Sequence, residues 1–185
     1  MGFWGYGLFE NDRDLDIFVD LAEECGLTTL EKDEQAKAAH NKLKKDVETE
    51  TEGSAAQMQT HDGDIMYSLF AAYCSDIKTV RDFLNEGALD KLVEIHKNDT
   101  NTLMLVGVCA MSLGCTTSDV FLETLRQQFP HCGTRGRARN QIGRALFGPG
   151  GFENGKAYDF QSRGLLQTAG EVMDGAELGM EENMW

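Results

Sequence analysis

The segment TLMLVGVCAMSLG, residues 102–114, is the longest apolar stretch of the chain. A helix built from it carries apolar side chains in every direction, which is typical of a helix surrounded by other helices. It is too short to cross a bilayer. Asp99 or Thr100 can cap its first turn, and we expect Val106 and Ala110 to lie at the centre of the fold.

Amphipathic helices are predicted on both sides of this segment, because apolar residues recur there at helical spacing between capping and breaking residues. The chain has only two prolines, Pro130 and Pro149, which favours helices over a turn-rich β fold. The predicted helices run from Asn11 or Asp12 to Gly26, from Thr28 to Val47, from Asp64 to Cys74, from Ser75 to Gly87, over Leu89–His96, from Ser118 to Pro130 and over residues 134–147.

The whole pattern predicts an all-α fold, a single-domain multi-helix bundle with a central buried helix. The domain covers residues 1–168 and includes a mobile polar loop at residues 49–60. Residues 152–160 carry turn chemistry at Asn154-Gly155 between aromatic residues, so a small C-terminal hairpin is expected there. Residues 169–185 form an acidic tail.

The composition restricts the function classes. A formal charge of −14 over 185 residues disfavours nucleic acid, which is bound through clustered Lys and Arg. The five cysteines are odd in number and lack CxxC spacing, as expected for reduced thiols. The N-terminus has no basic n-region of a signal peptide. These features predict a soluble cytoplasmic protein with an acidic surface, no membrane partner and no cofactor.

The first ten residues are rich in aromatic side chains and glycine. Trp4, Tyr6 and Phe9 either seal the core or form an aromatic wall of a ligand-binding pocket. The sequence is compatible with both interpretations.

The opening MGFWGYGLFEND and the following Asp14-Leu15-Asp16 helix start resemble a family of uncharacterised proteins, classed as a domain of unknown function, that share this head. The rest of the chain, with CAMSLGCTTSD at 109–119 and ALFGPGGFENGKAYDF at 145–160, is similar to longer fungal hypothetical proteins with the same head. The resemblance implies a helical fold. It implies no catalytic or binding residue.

Candidate catalytic residues are few. No GxSxG, HExxH, P-loop or GxGxxG motif is present. Tyr158 and Asp159, beside the expected aromatic turn, are candidates for acid/base chemistry on an organic substrate. His61 and Asp62 are a second pair of candidate catalytic residues.

Two metal-binding patterns are present in the sequence. His40, His61-Asp62 and Asp119 follow the order of ligands in helical metal-dependent phosphohydrolases. Acidic residues at positions 12, 14, 16 and 23 have the spacing of a calcium loop, but Ile17 stands where that loop needs glycine. We predict no metal site: surface histidines and a solvated helix face are the expected structures.

One basic cluster stands out in this acidic chain: Arg135, Arg137, Arg139 and Arg144. Guanidinium groups bind carboxylates and phosphates through paired hydrogen bonds. The cluster is either a solvated helix face, a site for a phosphate-bearing ligand, or a dock for the acidic tail.

Three functions are compatible with the sequence. The first is a non-catalytic helical interaction module that acts on a protein or small-molecule partner through its acidic surface and arginine cluster. The second is a small cofactor-independent enzyme of fungal-type biosynthesis, with a substrate between the aromatic head and residues 152–160. The third is a metal-dependent hydrolase. A filled core would favour the module, and an aromatic cavity with a titratable group would favour the enzyme.

Overall fold

A computed structural model of the chain describes residues 6–30, 32, 77–162 and 165. This part is predominantly helical and contains no β-strand, so the predicted all-α fold is confirmed. The helices are α1 (Asp12–Cys25), α2 (Ile77–Phe83), α3 (Leu89–His96), α4 (Thr100–Leu113), α5 (Asp119–Gln128) and α6 (Gly136–Phe147). A π-helical turn, Leu84–Ala88, joins α2 to α3, and a 3₁₀ turn, Phe129–His131, follows α5.

Helix α4 is the central helix, as predicted. Every residue from Thr102 to Leu113 is buried, and Val106 and Ala110 are fully buried. The helix contacts α1, α3 and α5. Its first turn is capped by Asp99, whose Oδ1 accepts hydrogen bonds from two backbone N–H groups of that turn, at 3.0 and 3.3 Å. No helix of the described residues is long and apolar enough to cross a membrane.

Helix α1 has the predicted bounds. Asn11 caps it by accepting a 3.0 Å hydrogen bond from the backbone N–H of Asp14. Gly26 ends it in the left-handed conformation (φ 94°), which glycine adopts without strain. Helical backbone resumes at residues 27–30, so the proposed N-cap Thr28 already lies inside a helical turn.

Several predictions fall on residues outside the described part. They are the remainder of the second helix to Val47, the loop at 49–60, the helix Asp64–Cys74, the Ser75-Asp76 cap and the tail from residue 169. The predicted break at Gly87 is confirmed: Gly87 has φ 117° within the π-helical turn.

The predicted C-terminal hairpin is wrong. Residues 151–162 are described and contain no strand. Asn154 does sit in a turn, but its side chain bonds to the backbone of Thr117, accepting from the N–H at 2.8 Å and donating to the carbonyl at 2.7 Å. The N–H of Tyr158 donates to the carbonyl of Met111 at the end of α4 (2.9 Å). The segment therefore bonds to the C-terminal end of the central helix instead of pairing with itself.

Candidate functional site

The predicted arginine cluster lies on and just before α6. Arg135 precedes its first turn, and Arg137, Arg139 and Arg144 lie within the helix. Arg137 Nη2 donates to the carbonyl of Gln161 (2.9 Å), and Arg139 Nη1 donates to the carbonyl of Cys132 (3.3 Å). Arg135 and Arg144 are exposed, and their side chains make no hydrogen bond or ion pair with any described residue. No carboxylate among the described residues pairs with any of the four, so no described side chain neutralises the positive charge of these arginines.

Two phenylalanines meet beside these arginines. Pro130 cannot continue α5, and the resulting 3₁₀ turn carries Phe129 against α6. The Phe129 ring lies 5.5 Å from that of Phe147, and the guanidinium carbon of Arg139 lies 4.4 Å above the same ring. A cation over an aromatic face is attracted by its quadrupole.

Gly143 makes room for this arrangement. A Cβ at this position would lie 3.2 Å from the Phe129 ring, so a larger residue would displace the ring. Phe147 is 56% exposed although it is a large apolar side chain. Phe147 and the partly buried Phe129 together form a small apolar surface at this end of α6.

These residues line an open groove of about 770 Å³, which we call the α6 groove. Its lining combines two aromatic rings, which we call the floor, with three arginines and one amide, which we call the rim. The lining residues are Phe129, Arg137, Arg139, Asn140, Gly143, Arg144, Phe147 and Gly148. The groove can thus accommodate an apolar side chain on the floor and carboxylates along the rim.

A second depression, of about 390 Å³, lies beside the N-terminal head. Tyr6, Arg13, Asn101 and Arg135 are among the residues that line it. Tyr6 is 77% exposed there. Tyr158 and Asp159 are not in its lining, so the depression does not join the aromatic head to the proposed acid/base pair.

Phe9 belongs to the core. It is fully buried and its ring packs edge-on against Phe18 at 6.4 Å. Its backbone has φ 56°, and its N–H donates to Oδ2 of Asp14 (3.2 Å). Burial raises the pKa of the Asp14 carboxyl, while hydrogen bonds from Asn11 and Phe9 and the charge of Arg13 oppose that rise. The Asp14 side chain therefore stabilises the backbone turn at Phe9 by accepting its N–H.

The N-terminal head and residues 158–162 are in contact, through the buried amide of Gln141 and the hydroxyl of Ser162. Gln141 accepts from the N–H of Leu8 (3.1 Å) and donates to the carbonyls of Phe160 (2.9 Å) and Gln161 (3.1 Å). The hydroxyl of Ser162 donates to the carbonyl of Leu8. This contact is filled by packed and hydrogen-bonded groups.

Tyr158 and Asp159 both have structural contacts. The half-buried ring of Tyr158 packs edge-on against Phe160 at 4.9 Å. Asp159 is exposed, and its Oδ1 accepts from the N–H of Gln161 at 2.6 Å. Neither side chain lines the α6 groove or the depression beside the head.

The cysteines of the described part are buried and unpaired: Cys25, Cys109, Cys115 and Cys132. Burial raises the pKa of Cys25 and Cys109 and raises that of Cys115 to about 12. A thiol with a raised pKa carries little of the nucleophilic thiolate near pH 7. These three side chains act as small apolar packing groups.

The described residues contain no cluster of three His, Cys, Asp or Glu side chains that could hold a metal ion. The acids with calcium-loop spacing lie on α1, where a helix directs them apart. Asp119 lies in the first turn of α5. Trp4, His40, His61 and Asp62 are outside the described residues.

Sequence reasoning identified the rim of the α6 groove but missed its floor. Phe129 and Phe147 are 18 positions apart, and only the 3₁₀ turn after α5 brings them together. The available signals were local: Phe147 follows Arg144 at i+3, on the same helix face, and Phe129 precedes a helix-ending proline.

No family model, curated protein or solved structure matches this chain.

Proposed function

We propose that this protein is a non-catalytic helical interaction module whose α6 groove binds an acidic segment of a partner protein. The observation that carries the proposal is Arg144, exposed and without a carboxylate partner among the described residues, beside the half-exposed ring of Phe147. The bound segment carries an apolar side chain for the aromatic floor and carboxylates for the arginine rim.

Charge and apolar contact have to act together at such a site. One exposed ion pair contributes about 0.2–1 kcal/mol, which is too little to select a partner. Burial of a large apolar side chain adds about 1.5–3 kcal/mol when it is complete. Several carboxylates with one aromatic or aliphatic anchor therefore fit the groove better than a phosphate alone.

The net charge of −14 repels an acidic partner at long range. At physiological salt this repulsion is screened beyond about 8 Å, whereas contacts at the arginine rim are shorter than that. The overall acidity then limits non-specific association, and the local arginines provide the attraction.

Support for a non-catalytic role comes from the described core. All of its buried side-chain nitrogen and oxygen atoms have hydrogen-bond partners. Tyr158 and Asp159 lie away from both depressions, and no observation on the described residues favours the cofactor-independent enzyme or the metal-dependent hydrolase over the module.

Binding of a labelled acidic peptide tests the proposal. The probe is a synthetic peptide with five glutamates and one central tryptophan, followed by fluorescence anisotropy against the full chain. Arg144→Glu should weaken binding about tenfold, which corresponds to about 1.4 kcal/mol. Phe147→Ser should weaken it as well, and should remove the preference for the tryptophan peptide over a serine analogue.

Arg13→Glu is the matched control. Arg13 is exposed, lies outside the α6 groove, and its replacement changes the net charge by the same amount. Equal losses in Arg13→Glu and Arg144→Glu would mean that the peptide senses only net charge, and the groove would not be the site.

A further inference from the structure

The chain leaves its last continuous described stretch beside α6. Gln141 donates hydrogen bonds to the carbonyls of Phe160 and Gln161, and Arg137 also donates to the carbonyl of Gln161. Arg137 also lines the α6 groove. The side chain of Arg137 therefore links Gln161 to the lining of the groove.

Few residues separate this part of the chain from residues 170–185. The last described residue is Leu165, which is buried in the core. Gly170 follows it by five residues, which reach at most about 18 Å. Helix α6, with 12 residues, is about 18 Å long. The connection and the 16-residue segment 170–185 are together long enough to span the length of α6.

The composition of residues 170–185 matches the groove. The segment has five acidic residues and no Lys or Arg, so it supplies carboxylates for the rim. It also has large, adaptable apolar side chains for the aromatic floor, in its methionines and Trp185. The acidic residues are Glu171, Asp174, Glu177, Glu181 and Glu182, and the methionines are Met173, Met180 and Met184.

We infer that residues 170–185 of the same chain occupy the α6 groove and compete there with the acidic partner. This inference rests on the proposed function, because it assigns an internal competitor to the same site. A tethered segment acts at an effective concentration of order 1 mM. If the free segment binds with a Kd near 0.1 mM, the tether reduces the apparent affinity of the partner by about tenfold. The protein would then be self-inhibited until a tighter partner displaces the segment.

The first test follows the indole N–H resonance of Trp185 in the ¹⁵N-labelled full chain, identified by its loss in Trp185→Phe. In the wild type this resonance should lie away from its position in the free 170–185 peptide. Arg144→Glu should move it toward the free-peptide position, and Arg13→Glu should leave it in place. No difference between the wild type and Arg144→Glu would overturn the inference. A position that depends on protein concentration would also overturn it, because a second copy would then be the occupant.

The second test separates this inference from the proposed function. A full-length variant with neutral tail residues, E171Q/D174N/E177Q/E181Q/E182Q, should bind the labelled acidic peptide about tenfold more tightly than the wild type. Unchanged peptide affinity would overturn self-inhibition and leave the proposed function intact. If neither protein binds the peptide, the proposed function fails, and the Trp185 resonance alone decides whether the segment docks.

Discussion

At the scale of single residues, Gln141 shows how one polar side chain joins distant parts of the chain. It is fully buried on α6 and is bonded to Leu8 at one end of the described sequence and to Phe160 and Gln161 at the other. A buried amide is tolerated only when its donors and acceptor are paired, as they are here. Sequence periodicity does not reveal such a residue, because its partners are set by tertiary packing.

Replacing Gln141 by leucine should therefore destabilise the protein although leucine is apolar and similar in size. The substitution leaves the buried N–H of Leu8 and the carbonyl of Phe160 without this partner, whereas the carbonyl of Gln161 keeps its hydrogen bond from Arg137. Each buried unpaired group costs about 1–3 kcal/mol. We expect a loss of at least about 2 kcal/mol in the free energy of unfolding, measured by urea denaturation.

Gln127→Leu is the control, since Gln127 is exposed on α5 and bonds only to Glu123. Its effect should stay within about 0.5 kcal/mol. Equal stability of Gln141→Leu and the wild type would show that the amide does not hold the head against α6.

At the scale of elements, the helix ends were predictable and the loop packing was not. Asn11, Gly26, Asp99 and Ser118 act through short-range backbone contacts, so their residue types predict where helices begin and end. The segment after α6 was mispredicted as a hairpin. Its Asn154-Gly155 pair has hairpin chemistry, but the end of α4 offers other backbone partners, which local sequence cannot show.

The junction between α4 and this segment depends on Gly114. Gly114 has φ 70°, and a Cβ there would lie 2.5 Å from the backbone nitrogen of Ala157. Gly114→Ala should combine left-handed strain of about 1–2 kcal/mol with displacement of the 156–157 backbone. Gly150→Ala is matched in strain, with φ 73°, but meets no atom within 4 Å.

Urea denaturation should show that Gly114→Ala loses at least about 1 kcal/mol more stability than Gly150→Ala. The difference measures the close contact between α4 and the segment, since the backbone strain is common to both variants. Equal losses would contradict the packing of residues 156–157 on the end of α4.

At the scale of the whole molecule, charge is unevenly distributed. The chain carries 31 acidic and 17 basic residues, yet the four arginines of the cluster lie on one helix or directly before it, without carboxylate partners in the described part. The sequence alone identified this cluster and the buried α4. It could not show that three of these arginines line an aromatic groove, because Phe129 reaches α6 only through the turn after α5.

The central claim is that the α6 groove is the binding surface, and amide chemical-shift mapping tests it most directly. The ¹⁵N-labelled full-length variant E171Q/D174N/E177Q/E181Q/E182Q, in which the tail does not compete for the groove, is titrated with the acidic tryptophan peptide until the shifts saturate. The account predicts that the largest changes occur at Asn140, Gly143, Arg144 and Phe147. Largest changes around Tyr6 and Asn101, or small changes spread over all exposed basic residues, would contradict it.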